Sequence, residues 1–134
     1  MAENSVVKEQ LTDRMADAGA TLTQRLDESG LPLSAAFWLF DSELNEWRLV
    51  FASPEIRTKG TRSVYQRIQL AIQELGPLSA AVPFSAISLL APDSDLVRKL
   101  SSTLHTGYGL SRIRFSRNVA QGRFIEDALV YRAA

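Results

Sequence analysis

The stretch LSRIRFSRNVAQGRFIEDALVYR, residues 110–132, decides how we interpret the fold of this chain. Apolar and polar residues alternate on both sides of its central AQG, and this alternation predicts two β-strands joined by a short turn. We predict a three-residue turn at Ala120–Gly122, with the glycine in the left-handed conformation. In the resulting register Arg114 lies diagonal to Glu126, and this cross-strand pair would neutralise part of the arginine-rich face.

Six further segments N-terminal to this hairpin show helical or strand periodicity. They are a helix from Ser5 to Ser29, strands at Leu33–Phe40 and Glu46–Ser53, a helix at Arg62–Leu75, a strand at Phe84–Ala91, and a helix marked by Leu96, Leu100 and Leu104 that ends at Gly107. The order α-β-β-α-β-α-β-β predicts an α+β fold, with helices packed on a mixed or antiparallel sheet of about five strands, in two layers or three. We predict a single domain over residues 1–134, with an N-terminal amphipathic helix in 1–30 and a sheet-and-helix core in 31–134.

The two strands of the first hairpin differ in which faces are apolar. The strand at 33–40 is apolar on both faces, which places it near the centre of the sheet. The strand at 46–53 alternates, so one face is predicted to be buried and the other, which includes Val50, to be partly wet. The aromatic residues of this hairpin are expected to fill the core. The polar segment Glu55–Thr61 is predicted to be a loop.

The first helix carries a narrow apolar stripe. Asn4 or Ser5 is a suitable N-cap residue, and Gly30 is well placed to end the helix. Gly19 lies in the middle, where glycine permits a bend or close packing against a neighbour. We interpret the stripe as the face that covers the sheet, and the alternative is the seam of a homodimer.

The chain has 15 basic and 15 acidic residues, but they are unevenly distributed. Residues 1–30 contain three basic and six acidic groups, whereas residues 110–132 contain five and two. We favour the interpretation that these two regions lie near one another and partly neutralise each other's charge. The alternative is an extended nucleic-acid surface, but such surfaces normally have an excess of Lys and Arg. There is no apolar run long enough to span a membrane and no secretory signal. The absence of cysteine is compatible with a cytoplasmic location.

No residue pattern selects a catalytic, metal or cofactor site. The single histidine, His105, is expected in the last turn of a helix, where the helix dipole favours a cation. Asp93 and Asp95 form a D-x-D pair, yet their position before a helix explains them as capping residues. The chain lacks a nucleophile elbow, a phosphate-binding loop and a dinucleotide-binding loop. We therefore predict no catalytic residues, no metal and no cofactor.

Anion binding is the sharpest hypothesis for a site. Basic residues surround Gly60 at the predicted start of the second helix, where free N–H groups and the helix dipole favour anions. The final hairpin adds arginines on one strand face. The candidate residues are Lys59, Gly60, Thr61, Arg62, Arg112 and Arg114. They form one site only if the two basic elements meet in space, and the alternative is an ordinary solvated loop and a partly neutralised sheet face.

Three blocks, SPEIRTKGTRSVYQRIQLAI, APDSDLVRKLSSTLHTG and RFSRNVAQGRFIEDALVYR, resemble small bacterial proteins that occur around mobile genetic elements and have no known activity. The resemblance covers most of residues 33–132 and implies no cofactor or catalytic residue. It implies a bacterial cytosolic protein with an accessory or interactive role. We therefore expect a non-enzymatic interaction protein, with an unknown protein or a second copy as partner. The alternatives are a binder of a phosphate-bearing ligand or nucleic acid, and a small metal-independent hydrolase.

Overall fold

The structure is a computed structural model, and it describes residues 7–134. Its helices are α1 (Asp13–Glu28), α2 (Glu55–Lys59), α3 (Thr61–Gln73) and α4 (Asp95–Leu104), its strands are β1 (Ala35–Asp41), β2 (Glu46–Ala52), β3 (Ile87–Leu90), β4 (Ile113–Ala120) and β5 (Arg123–Ala133), and 3-10 helices span Gly76–Ala81 and Phe84–Ala86. The predicted α+β class and the predicted order of elements are confirmed.

The five strands form one mixed sheet in the order β3-β2-β1-β5-β4. β2 and β3 are parallel, and the other neighbouring strands are antiparallel. The apolar strand β1 lies at the centre, as predicted from its two apolar faces. β3 and β4 form the two opposite edges.

Helices cover both faces of the sheet, so the fold has three layers. On one face α1 and α3 pack against a core that includes Trp38, Leu49 and Tyr131. On the other face α4 packs against a second core that includes Phe37 and Val50. The face of Glu46, Arg48 and Val50 is partly wet, as predicted, because Glu46 is exposed and Arg48 is half-buried. Val50 itself lies under α4, and only 2% of it is exposed. The predicted apolar stripe of α1 does cover the sheet.

Gly19 lets α1 approach the centre of the sheet closely. A Cβ atom at this position would lie 2.6 Å from Nε1 of Trp38, so only glycine fits. The indole N–H of Trp38 donates to the hydroxyl of Tyr131 at 3.1 Å, and that hydroxyl donates to the backbone oxygen of Ala16 at 2.5 Å. Burial raises the pKa of Tyr131 to about 12, so the hydroxyl remains a donor at neutral pH.

The first helix begins later than predicted. α1 starts at Asp13, and Thr12 caps it by accepting a hydrogen bond from the Met15 amide at 3.1 Å. Asn4 and Ser5, the predicted caps, lie outside the described residues. Residues 7–12, called the strap below, have no regular secondary structure. The apolar spacing through Leu11 mimics a helix, but the strap binds the sheet instead.

Three smaller predictions also require correction. The predicted loop after β2 contains the short helix α2, which an ion pair between Glu55 and Lys59, four residues apart, stabilises. The predicted strand from Phe84 begins with a 3-10 turn, so β3 has four residues. His105 follows α4 as its C-cap, with a left-handed φ of 46°, and does not belong to the last turn.

The final hairpin has a two-residue turn, and this moves its register by one position. Ala120 pairs with Arg123, while Gln121 and Gly122 both have positive φ, as a tight type I′ turn requires. Ser116 consequently pairs with Asp127 and not with Glu126. The predicted acid partner is therefore wrong by one residue, because turn length sets the pairing of every residue in a hairpin.

Candidate functional site

The first predicted anion-binding element lies at the junction of α2 and α3. Lys59 ends α2, Thr61 begins α3, and Gly60 joins them with a φ of 87° that favours glycine. The ammonium group of Lys59 lies 3.6 Å from a carboxylate oxygen of Glu55. Arg62 is exposed and lines a shallow groove between α3 and the 3-10 turn that precedes β3. This element therefore belongs to the β3 edge of the sheet.

The second predicted element lies at the opposite edge, on β4 and immediately before it. Arg112 contacts Asp17 of α1, with Nη1 2.9 Å from Oδ1. Arg114 contacts Asp127 of β5. Because β3 and β4 are opposite edges, the structure does not bring Arg112 and Arg114 together with Lys59 and Arg62. The condition for one combined anion site is not met.

The acidic first helix and the basic hairpin lie side by side, as their opposite charges predicted. Besides the Arg112–Asp17 pair, Arg132 of β5 contacts Asp27 near the end of α1. The Arg132 side chain is only 4% exposed. It also donates to the backbone oxygens of Leu33 and Gly109, so four hydrogen bonds occupy its guanidinium group. Arg132 therefore joins α1, β5 and the loop before β4.

A cleft of about 480 Å³ lies beside the Arg132–Asp27 pair. Its lining includes Leu31, Pro54 and Tyr108. The charged groups at its base already bind each other, so the cleft offers a ligand mainly apolar surface and backbone. We assign no ligand to it.

Asp127 is the centre of a charged cluster on the α1 side of the hairpin. Its Oδ1 accepts hydrogen bonds from Arg114 Nε at 2.7 Å and Ser116 Oγ at 2.6 Å. Its Oδ2 accepts from Arg114 Nη2 and from Lys8 Nζ, both at 2.7 Å. Burial raises the pKa of Asp127, but the donors Arg114, Lys8 and Ser116 outweigh burial and hold it well below its usual range. The carboxylate is therefore ionised at neutral pH.

Two aromatic rings complete this cluster. Phe40 of β1 and Trp47 of β2 lie with ring centroids 5.4 Å apart. The ammonium group of Lys8 lies 4.8 Å from the Phe40 centroid and 5.7 Å from that of Trp47. The Arg114 guanidinium lies 5.5 Å from the Trp47 centroid. Both rings thus contact cations through their electron-rich faces.

The outer side of the final hairpin is open. Within residues 7–134, β4 pairs with β5 alone, so its other edge is uncovered. At the tip, Val119 and Phe124 face each other across the hairpin and are 53% and 59% exposed. Arg117 is exposed in the same strand, with a φ of 45° that departs from strand geometry.

In the part of the chain that the structure describes, no group of three or more His, Asp or Glu side chains could hold a metal ion. Among the helices of residues 7–134, none combines the length and apolar character needed to cross a membrane. His105 is exposed at the end of α4.

Sequence interpretation missed Lys8 and Asp127. A signal for Asp127 exists, because it occupies the same strand face as the buried residues Leu129 and Tyr131, and an acid in an apolar alternation indicates a paired charge. No local signal identifies Lys8, because its partners are more than 30 residues away in the chain.

The chain was compared with protein-family models, with curated proteins and with solved structures, and none of them matches it.

Proposed function

We propose that this protein is a non-enzymatic interaction protein, and that it binds an extended acidic segment of a partner protein along the free edge of β4. The uncovered edge of β4 is the observation that carries this proposal. An edge strand presents unpaired backbone N–H and C=O groups, and an extended peptide can add to them as a further strand. The exposed pair of Val119 and Phe124 at the tip adds apolar surface that a partner could bury.

Charge supports an acidic partner. Residues 110–122 contain three arginines and no acidic residue. Arg112 and Arg114 already have carboxylate neighbours, so Arg117 is the arginine available to an acidic partner. Edge-to-edge pairing with a second copy would offer Arg117 no acidic side chain from residues 110–122. The positive φ of Arg117 interrupts the strand geometry, so we place backbone pairing at Ile113–Ser116 and contact with acidic side chains at Arg117.

The alternative anion site receives less support. Its two halves lie at opposite edges of the sheet, and Lys59, Arg112 and Arg114 each have a carboxylate neighbour. A phosphate-bearing ligand would therefore have to bind one half alone. A bacterial cytoplasmic setting forms part of our proposal, and it is supported by the family resemblance and by the absence of cysteine.

A titration followed by amide NMR tests the proposal. The probe is an eight-residue peptide of alternating Glu and Val, and the control peptide has Lys in place of Glu. We expect saturable shifts of the Ile113–Ser116 amides with the acidic peptide only. Arg117→Glu should weaken binding about fivefold, which corresponds to about 1 kcal/mol for one charge contact. Arg62→Glu is the matched control at the other edge and should leave the affinity unchanged.

Absence of shifts in β4 at millimolar acidic peptide would refute the proposal. Steeply salt-dependent binding of single-stranded or duplex nucleic acid that is lost in Arg62→Glu would refute it in favour of the phosphate alternative. Light scattering provides a further check, since a dimer that forms with increasing concentration and shifts the Ile113–Ser116 amides would identify a second copy as the partner and reject the acidic segment.

A further inference from the structure

The strap, residues 7–12, lies on the sheet like a bound peptide. Trp47 donates its indole N–H to the backbone oxygen of Glu9 at 2.9 Å. Asn45 accepts from the Glu9 amide at 2.9 Å and donates to the Val7 oxygen at 3.0 Å. These contacts are backbone to side chain, so they recognise an extended chain and do not depend on its sequence.

The Lys8 side chain supplies the sequence-dependent part of this contact. Its ammonium group is 2.7 Å from Oδ2 of Asp127 and faces the rings of Phe40 and Trp47. A carboxylate beside two aromatic faces is the arrangement that recognises alkylammonium groups, because Coulomb attraction and cation–π attraction act on the same charge. Asp127 is 5% exposed as a side chain, and Lys8 is 37% exposed. The site is thus buried, whereas its occupant is partly accessible.

The site does not require Lys8 for its own assembly. Asp127 receives three other hydrogen bonds, two from Arg114 and one from Ser116. These orient the carboxylate and keep it ionised when the lysine is absent. Phe40 and Trp47 are on neighbouring strands of the sheet and pack against each other. Departure of Lys8 would therefore leave a preformed site whose carboxylate keeps Arg114 but has lost one of its two cationic partners.

We propose that Phe40, Trp47 and Asp127 form a recognition site for a primary alkylammonium group, such as the lysine of an extended peptide, and that Lys8 is its intramolecular occupant. This site is distinct from the β4 edge, which lies on the outer side of the hairpin. When the strap lifts, the site becomes open to a lysine from another chain. The strap then acts as a competitor that sets the apparent affinity for that ligand.

Chemical rescue of Lys8→Ala in the full chain tests this proposal. n-Propylammonium contains the atoms that the substitution removes, and 1-propanol is the matched uncharged control. We expect n-propylammonium to raise the urea midpoint of Lys8→Ala in a saturable manner, because a ligand that binds only the folded state stabilises it. It should have no saturable effect on the wild type, whose site is occupied. 1-Propanol should have no saturable effect on either protein.

A second probe distinguishes the two sources of an ammonium group. The blocked hexapeptide Val-Lys-Glu-Gln-Leu-Thr has the sequence of the strap. Tighter binding of this peptide than of n-propylammonium to Lys8→Ala supports a peptide ligand, and equal binding supports a free amine at the same site. In either case the bound probe should shift the indole N–H resonance of Trp47, because Trp47 is part of the site.

The result that overturns the proposal is equal stabilisation by n-propylammonium and 1-propanol, or none by either amine probe. Lys8→Met, which keeps the stem of the side chain and removes only the charge, provides the same comparison if Lys8→Ala is too unstable to measure. None of these readouts depends on the free backbone edge of β4 or on Arg117, so failure here would not affect the proposed partner of the β4 edge.

Discussion

Replacing Gly19 by alanine tests the close approach of α1 to the sheet. The added methyl group would lie 2.6 Å from Nε1 of Trp38 and 2.9 Å from Cε2 of Tyr131. Both side chains are fully buried, so neither ring can move into solvent. The substitution therefore sets helix propensity, which favours alanine, against overpacking in the core.

The two effects differ in size. Alanine is better than glycine inside a helix by about 1 kcal/mol. Overpacking a filled core costs about 1–3 kcal/mol, and occasionally more. Moving either ring also disrupts the hydrogen bond from Trp38 to Tyr131, which contributes about 1 kcal/mol. We expect Gly19→Ala to lower the free energy of unfolding by about 2 kcal/mol, which corresponds to roughly 6–10 °C in Tm for a domain of this size.

Urea denaturation followed by tryptophan fluorescence measures this change directly, and circular dichroism gives the corresponding Tm. The matched control is Gly109→Ala, because Gly109 has open space around it and the change should be within about 0.5 kcal/mol. A Gly19→Ala protein as stable as the wild type, or more stable, would show that α1 can move away from the sheet at no net cost. It would refute the packing argument.

Asp127→Asn should lower the free energy of unfolding at pH 7 by about 2–3 kcal/mol, because it leaves Arg114 and Lys8 without their carboxylate. Since the pKa of Asp127 is lower in the folded than in the unfolded chain, its contribution is present above about pH 4 and is lost as pH falls toward the folded pKa. The difference between the two proteins in urea denaturation should narrow from pH 5 to pH 3, and a constant difference would contradict this assignment. Arg132→Met should cost about 2–4 kcal/mol by the same assay, because it removes a buried guanidinium group that binds Asp27 and the backbone oxygens of Leu33 and Gly109. Arg112→Ala should cost less than about 1 kcal/mol, because its ion pair is half exposed. Equal losses of unfolding free energy in the two arginine variants would refute the role assigned to burial.

Local patterns in the chain predicted the elements because each pattern reflects the periodicity of one element. The alternation in β2 can be recognised from a few consecutive residues, and the four-residue spacing in α1 from a few helical turns. The central position of β1 was also predictable, because only a strand covered on both faces is apolar on both. The start of α1 was not predictable, because the apolar spacing continues into the strap. Thr12 competes there with Asn4 and Ser5 as a cap.

The candidate site was harder to predict, because its geometry depends on register and on distant contacts. A turn of two residues in place of three exchanged Glu126 for Asp127 as the acid that lies opposite Ser116 and diagonal to Arg114. Lys8 lies 119 residues from Asp127 in the chain, and only the path of the strap across β2 brings them together. The separation of Lys59 and Arg62 from Arg112 and Arg114 likewise follows from strand order.

The sequence by itself determined the α+β class, the order of the elements, the buried stripe of α1 and the opposite charges of α1 and the final hairpin. These features are encoded in residue type and short spacing, so they do not require knowledge of the tertiary structure. Only the tertiary structure decided strand order, the third layer formed by α4, the register of the hairpin and the partner of each arginine. Pairings of this kind join residues far apart in the chain, and many alternative pairings satisfy the same local pattern. The open edge of β4 and the Lys8 site are therefore products of how the elements pack.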